Sequence, residues 1–157
     1  MTKSENAALW FDDTFNCSQS VLASFGPGYG LTEDQCLKIG CAFGGGMARR
    51  QMTCGALTGA LMALGLHFGR AADDPYSISE TTYDKSNQLF EEFKKLHGSI
   101  NCKELLQGLD MNDPADREKI GRLDLFHTSC AQYVRDAVEI TEAIIERGSI
   151  SPGVEKT

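Results

Sequence analysis

Between Cys54 and Phe68 the chain reads Cys-Gly-Ala-Leu-Thr-Gly-Ala-Leu-Met-Ala-Leu-Gly-Leu-His-Phe, a run made almost wholly of small and apolar residues. Gly55, Gly59 and Ala63 recur at i, i+4 and i+8, so in a helix they share one face, with Ala56 and Ala60 beside it. A face with so little side chain lets another backbone approach closely. That gain has to outweigh glycine's penalty in a helix, about 1 kcal/mol relative to alanine. The stretch is therefore expected to be the central helix of the fold. Thr53 stands where an N-cap would stand, which puts Cys54 at the first helical position, among unpaired N–H groups and the positive end of the helix dipole. Such a place favours thiolate over thiol. Arg49 and Arg50 just upstream would raise the local potential further, or mark where an acidic partner docks.

The rest of the chain reads as helices around that one. Asn6 to Phe25 carries Phe11, Phe15, Ser18, Leu22 and Phe25 as one stripe, which predicts a single helix stopped by Gly26-Pro27-Gly28. Thr32 and Gln35 form a capping-box pattern for a second helix that runs to the glycines at 44–46. The central helix covers roughly residues 53–68. After the Asp73-Asp74-Pro75 loop, Ser77 and Glu80 predict another capping box, with Tyr83, Phe90, Phe93 and Leu96 turned inward and Gly98 as the stop. Asn101 would cap a short helix from Cys102, and Asp113-Pro114 would start another turn or two. Ser129 to Arg147 is the last helix, with Val134, Val138, Thr141 and Ile145 on one face and Gly148 as terminator. No stretch alternates with period two for long enough to make a strand. The expectation is an all-α, single-domain helical bundle of about five to six helices, spanning 1–157 with its core at about 6–148.

Composition narrows the function. The 157 residues suit one domain with a substantial core, and 41% hydrophobic with 24% charged residues argues for a globular chain. A net charge of -7 speaks against nucleic acid or anionic lipid as the main partner. Met1–Asn6 carries no leader-like apolar run, and the longest apolar stretch is too short to span a bilayer, so a cytoplasmic protein without a membrane segment is expected. In that compartment the six cysteines point to metal binding or redox chemistry rather than structural disulfides.

Three of those cysteines follow a capping residue directly: Thr53-Cys54, Asn101-Cys102 and Ser129-Cys130. If each opens a helix, three thiols meet three positive helix ends, a field that suits thiolates or an anionic metal–sulfur centre. Asn16-Cys17 repeats the dipeptide but falls inside the first predicted helix. The bland alternative is that these are small buried hydrophobes. Cys36 and Cys41 would point about 140° apart on a helix, so packing is the better reading for them. No CxxC and no CxxCH occurs, which removes the zinc-ribbon, thioredoxin-type and covalent-haem signatures. His127 and Cys130 have a ligand-like spacing, His97 suits a helix C-terminus, and His67 reads as packing at a helix end. Gly44-Gly45-Gly46 is not a phosphate loop, since no Lys-Ser/Thr follows and no strand precedes it; it reads as a tight turn between helices.

The chain resembles the C_GCAxxG_C_C family of redox-active proteins from about Asn16 to Ile145. The resemblance rests on Asn16-Cys17-Ser18-Gln19-Ser20-Val21-Leu22, Phe43-Gly44-Gly45-Gly46-Met47 and Cys54-Gly55-Ala56-Leu57-Thr58-Gly59-Ala60. It continues in His97-Gly98-Ser99-Ile100-Asn101-Cys102-Lys103-Glu104-Leu105-Leu106 and Cys130-Ala131-Gln132-Tyr133-Val134-Arg135-Asp136-Ala137. It implies that the family's four cysteines are Cys17, Cys54, Cys102 and Cys130, with Cys36 and Cys41 as extras. Gly40-Cys41-Ala42-Phe43-Gly44-Gly45 also fits the GCAxxG string, but Cys54 matches better in its flanks and has the helix-cap rationale. The same fold is similar to the non-haem domain of split-Soret cytochromes c, which implies a cysteine-bound iron–sulfur centre and a homodimer; this chain lacks the haem part. The resemblance names a redox role and no substrate. Three readings follow. One is a [2Fe–2S] or [4Fe–4S] cluster held by Cys17, Cys54, Cys102 and Cys130 that exchanges electrons with a redox partner protein. Another is a metal-free thiol–disulfide centre, in which Cys54 attacks and Cys102 or Cys130 resolves. The third is a structural zinc site or packed cysteines in a helical interaction domain.

Overall fold

The computed structural model describes residues 1–150, with side chains through Gly148; the tail of the expected domain, 151–157, lies outside the described residues. The chain is all-α, and no strand occurs among the described residues. The described residues form eight α-helices rather than the five to six expected: α1 (Lys3–Asp12), α2 (Cys17–Phe25), α3 (Glu33–Gly40), α4 (Gly55–Phe68), α5 (Ser77–His97), α6 (Cys102–Leu105), α7 (Pro114–Arg122) and α8 (Ala131–Ile150). None of the described helices is long and apolar enough to cross a membrane.

The first departure from expectation matters most for the site. Asn6 to Phe25 is two helices, not one. Thr14 takes a positive φ of 75°, and Asn16 then caps α2 in a complete box: the Gln19 N–H donates to Asn16 Oδ1 at 2.9 Å and the Asn16 N–H to Gln19 Oε1 at 3.0 Å. Cys17 is therefore the first residue of a helix, where the hydrophobic stripe alone had buried it mid-helix. Capping boxes at Thr2/Glu5 and Thr32/Gln35 start α1 and α3, and Asp113 caps α7 by accepting from the Asp116 N–H.

Helix α4 is the centre of the bundle, with Gly55–Ala60, Ala63 and Leu64 buried and α2, α5 and α8 packed around it. Helix α1 lies across α2 and α8. A Cβ placed on Gly59 would lie 2.7 Å from the Ser18 carbonyl oxygen and 3.0 Å from Val21 Cβ, so α2 rests almost backbone to backbone on α4. The buried Ser18 Oγ has no hydrogen-bond partner among the described residues. Helix α2 thus covers this small-residue face from within the same chain.

Other boundaries also shift. Ser77 and Glu80 form no capping box; α5 starts after Tyr76 without a side-chain cap. Its inward residues are Leu89 and Phe93, both fully buried, with Phe90 partly buried against the same core, while Tyr83 and Leu96 are exposed. Burial of a side chain such as Phe93 stabilises by about 1.5–3 kcal/mol. Gly98, at φ 84°, ends α5 as expected. Helix α3 stops at Gly40 and gives way to a short 3-10 turn at Cys41–Phe43. On α8, Val134, Val138 and Thr141 are buried, with Ile144 rather than Ile145 continuing the face. Gly148 does not terminate α8: a Cβ there would lie 2.7 Å from the Phe68 ring, so it is a packing glycine.

Two glycines of α4 make opposite predictions. Gly59→Ala should destabilise by about 1–3 kcal/mol, because backbone rather than a side-chain tip must move. Gly65→Ala, whose Cβ meets nothing within 4 Å, should stabilise by about 0.5–1 kcal/mol through helix propensity. Urea denaturation midpoints read both; equal effects would remove the close α2–α4 approach as the reason for Gly59.

Candidate functional site

Four of the six cysteines reach one cavity by four different backbone devices. Cys17 opens α2 behind its Asn16 cap. Cys54 is itself the N-cap of α4, one position earlier than expected. Thr53 is not a cap; it pairs with Asn101 in an isolated antiparallel bridge. Around that bridge the Cys54 N–H donates to the Ile100 carbonyl at 2.8 Å and the Cys102 N–H to the Met52 carbonyl at 2.7 Å, which holds Cys54 and Cys102 on neighbouring segments. Cys102 begins the one-turn helix α6, though Asn101 makes no side-chain cap bond. Cys130 does not open a helix behind Ser129. It ends a π-helical turn, Phe126–Cys130, that runs straight into α8, and its N–H is taken by the Leu125 carbonyl at 2.9 Å. The expectation of three cysteines at three free helix ends is corrected accordingly.

The cavity measures about 700 Å³, and Cys17, Cys54, Cys102 and Cys130 all line it. Cys17 is raised in part by Cys54, Cys130 and Cys102, Cys102 by Cys54, and Cys130 by Cys54 and Cys102, so the four are electrostatically coupled. Cys36 is apart, fully buried against Leu22 and Ala23 as the packing reading expected. Cys41 is not packed: it is exposed and lines the rim of the same cavity. Aromatic rings of Phe11, Phe15, Phe126 and Tyr133 complete the wall, and Arg49 and Arg117 bring its positive charge; no carboxylate lines it. Tyr133 is fixed by its hydroxyl, which donates to the Leu105 carbonyl at 3.0 Å.

The glycine run is more than a tight turn. Gly45, Gly46, Met47, Ala48 and Arg49 all have positive φ, as does Gln51, giving a left-handed loop that folds over the cavity. Non-glycine residues pay roughly 1–2 kcal/mol each for this conformation. Gln51 holds it: its buried side chain donates to the Leu109 carbonyl and accepts from the Met111 N–H, both at 2.8 Å. Asn112 Nδ2 adds a bond to the Arg49 carbonyl at 2.8 Å. A Cβ at Gly46 would stand 2.8 Å from Cys102 Cβ, so that glycine is required by the approach of the loop to the thiols. Gln51 and Met111 were not singled out from the sequence; the triple glycine was the one local sign of a positive-φ loop.

Burial, not the helix dipole, sets the thiols. Desolvation pushes Cys54 up to about 11, although the Ala56 and Leu57 N–H groups pull it down. Cys102 and Cys130 are pushed up to about 12, first by burial and then by neighbouring thiols, and Cys17 is raised well above the ordinary thiol range for the same reasons. The expected low-pKa Cys54 is therefore overturned. Among the described residues no three His, Cys, Asp or Glu side chains stand close enough together to hold a single metal ion. His127 lines the cavity beside Cys130 but bonds Asp124 at 2.7 Å. His97 pairs with Asp136 at 2.8 Å and stacks edge-on against Tyr133, while His67 bonds the Tyr29 hydroxyl at 2.8 Å.

Two outcomes follow for the metal-free protein. At neutral pH iodoacetamide should label exposed Cys41 first, with Cys54, Cys102 and Cys130 reacting only on unfolding or at strongly alkaline pH; peptide mass mapping reads the order. The folded chain also retains thiol protons that the unfolded chain releases above about 8.5. That stability is fully present below this value and is lost as pH rises through about 11 and 12. A melting temperature that stayed flat across the alkaline range would contradict burial as the controlling term.

A family model described as "Putative redox-active protein (C_GCAxxG_C_C)" matches residues 15–144. The chain is 27% identical over 137 residues to an uncharacterized protein of Archaeoglobus fulgidus, covering 83% of this chain and 84% of that one. No solved structure matches it. Because the match takes in every cysteine and the whole α2–α8 framework up to residue 144, the chain belongs to the C_GCAxxG_C_C redox-active protein family.

Proposed function

We propose that Cys17, Cys54, Cys102 and Cys130 hold an iron–sulfur cluster and that the protein carries electrons. The observation that carries this reading is the convergence of four thiols, from four separate elements, on the wall of one cavity. Four thiolates satisfy either a [2Fe–2S] or a [4Fe–4S] centre, which supplies one-electron transfer when bound. The surroundings fit such a group. The cationic side chains Arg49 and Arg117 and the lack of carboxylates in the wall suit an anionic metal–thiolate centre. No acceptor among the described residues takes the N–H of Gly46, a buried residue lining the cavity, so that group is available to a sulfur.

The same features weigh against the other readings. A single zinc ion needs its ligands closed on one point, and no such group of three stands among the described residues. A metal-free exchange centre needs a thiolate at neutral pH, whereas burial keeps Cys54, Cys102 and Cys130 protonated. Metal loading would displace those protons, so cluster assembly should improve as pH rises. The chain's own contribution is to position the four sulfurs, to shield them with the aromatic wall, and to balance their charge.

Protein purified without oxygen should show a broad visible absorption with iron and acid-labile sulfide in comparable amounts. Serine at any one of positions 17, 54, 102 or 130 should cut iron content severalfold, while Cys36→Ala and Cys41→Ser leave it unchanged. A colourless protein that takes up neither iron nor sulfide on anaerobic reconstitution would overturn the reading.

A further inference from the structure

The left-handed loop has an outer face as well as an inner one. There Arg49, Arg50 and Lys103 line a second depression of about 430 Å³. The ion pairs among the described residues are His97–Asp136, His127–Asp124 and Arg147–Glu92, so none of these three cations has a carboxylate partner. Asp110 is the one acid in the depression, and its Oδ1 accepts the Asn112 N–H at 2.8 Å. Three cations against one carboxylate leave two positive charges unmatched. In a chain of net charge -7 that local surplus runs against the composition.

The backbone under these side chains is fixed. Asn112 Nδ2 bonds the Arg49 carbonyl at 2.8 Å, the Lys103 N–H bonds the Gln51 carbonyl at 3.2 Å, and Gln51 is anchored below by Leu109 and Met111. A charged site on a pinned backbone loses less ordering entropy on binding. Its concave shape suits a small group rather than a flat protein surface, and guanidinium forks match the oxygens of a phosphate. We propose that this depression binds a phosphate-class dianion, either free or as the terminal group of a nucleotide-like ligand. The site differs from a phosphate loop because its donors are side chains. Arg49 lines both cavities, so an anion held here engages a guanidinium shared with the cysteine cavity. The proposal stands whether or not the four thiols hold a cluster.

Isothermal titration of the full chain with inorganic phosphate and with ADP, in low-salt buffer, tests it. Saturable binding is expected, weakened at least about tenfold by Arg50→Glu or Lys103→Glu, the loss of one charged contact. Lys95→Glu, an exposed cation on α5, should leave binding unchanged. The exposed side chains of Arg50 and Lys103 make misfolding of the variants readable by circular dichroism, and Arg50→Gln gives a milder second test. Tighter binding of ADP than of phosphate assigns the site to the end of a larger ligand, and equal binding assigns it to the free anion. No saturation, an equal response to chloride at matched ionic strength, or equal weakening by Lys95→Glu would overturn the proposal.

Discussion

Everything at the site depends on how closely α2 lies on α4. Gly55 and Gly59 present bare backbone, and a Cβ at Gly55 would stand 3.1 Å from Cys17 Cβ. Gly40 does the same from α3, where a Cβ would come within 2.9 Å of the Gln19 backbone. One contact thus packs the core and brings the helix starts that carry Cys17 and Cys54 together. It also explains why the central helix tolerates glycines that its intrinsic propensity disfavours.

The second constraint is the loop over the cavity. A run of left-handed residues is unstable by itself, and it persists because buried Gln51 satisfies two backbone groups of the 109–111 segment. The same segment contributes Met111 to the small core of Leu106, Ile120, Leu125 and Cys130. Loop, α6, α7 and the π-helical turn therefore form one lid-like layer whose inner side carries Cys102 and Cys130.

Magnitudes decide the state of the thiols. A helix N-terminus is worth about 0.3–1 kcal/mol to a nearby charge. Desolvation of a fully buried ionisable group shifts its pKa by up to roughly 3–5 units. Cys54 has both influences and sits at about 11, so burial wins. A buried set of protonated thiols around a carboxylate-free cavity is poorly suited to attack on a disulfide at neutral pH.

The sequence by itself determined the all-α class, the central small-residue helix, the caps at Thr32 and Asp113 as residue types, and the grouping of Cys17, Cys54, Cys102 and Cys130 through family resemblance. Helix periodicity and capping are local, so they can be read from neighbours in the chain. Tertiary structure decided the rest. Asn16 caps a helix instead of lying within one because its side-chain amide also donates to the Cys41 carbonyl at 2.9 Å, a contact across 25 positions. Thr53 pairs with Asn101 instead of capping α4, because it answers to a partner distant in sequence. The raised thiols are the clearest case: the dipole that lowers a pKa is a property of one helix, whereas the desolvation that raises it exists only once the whole bundle has closed around the sulfur.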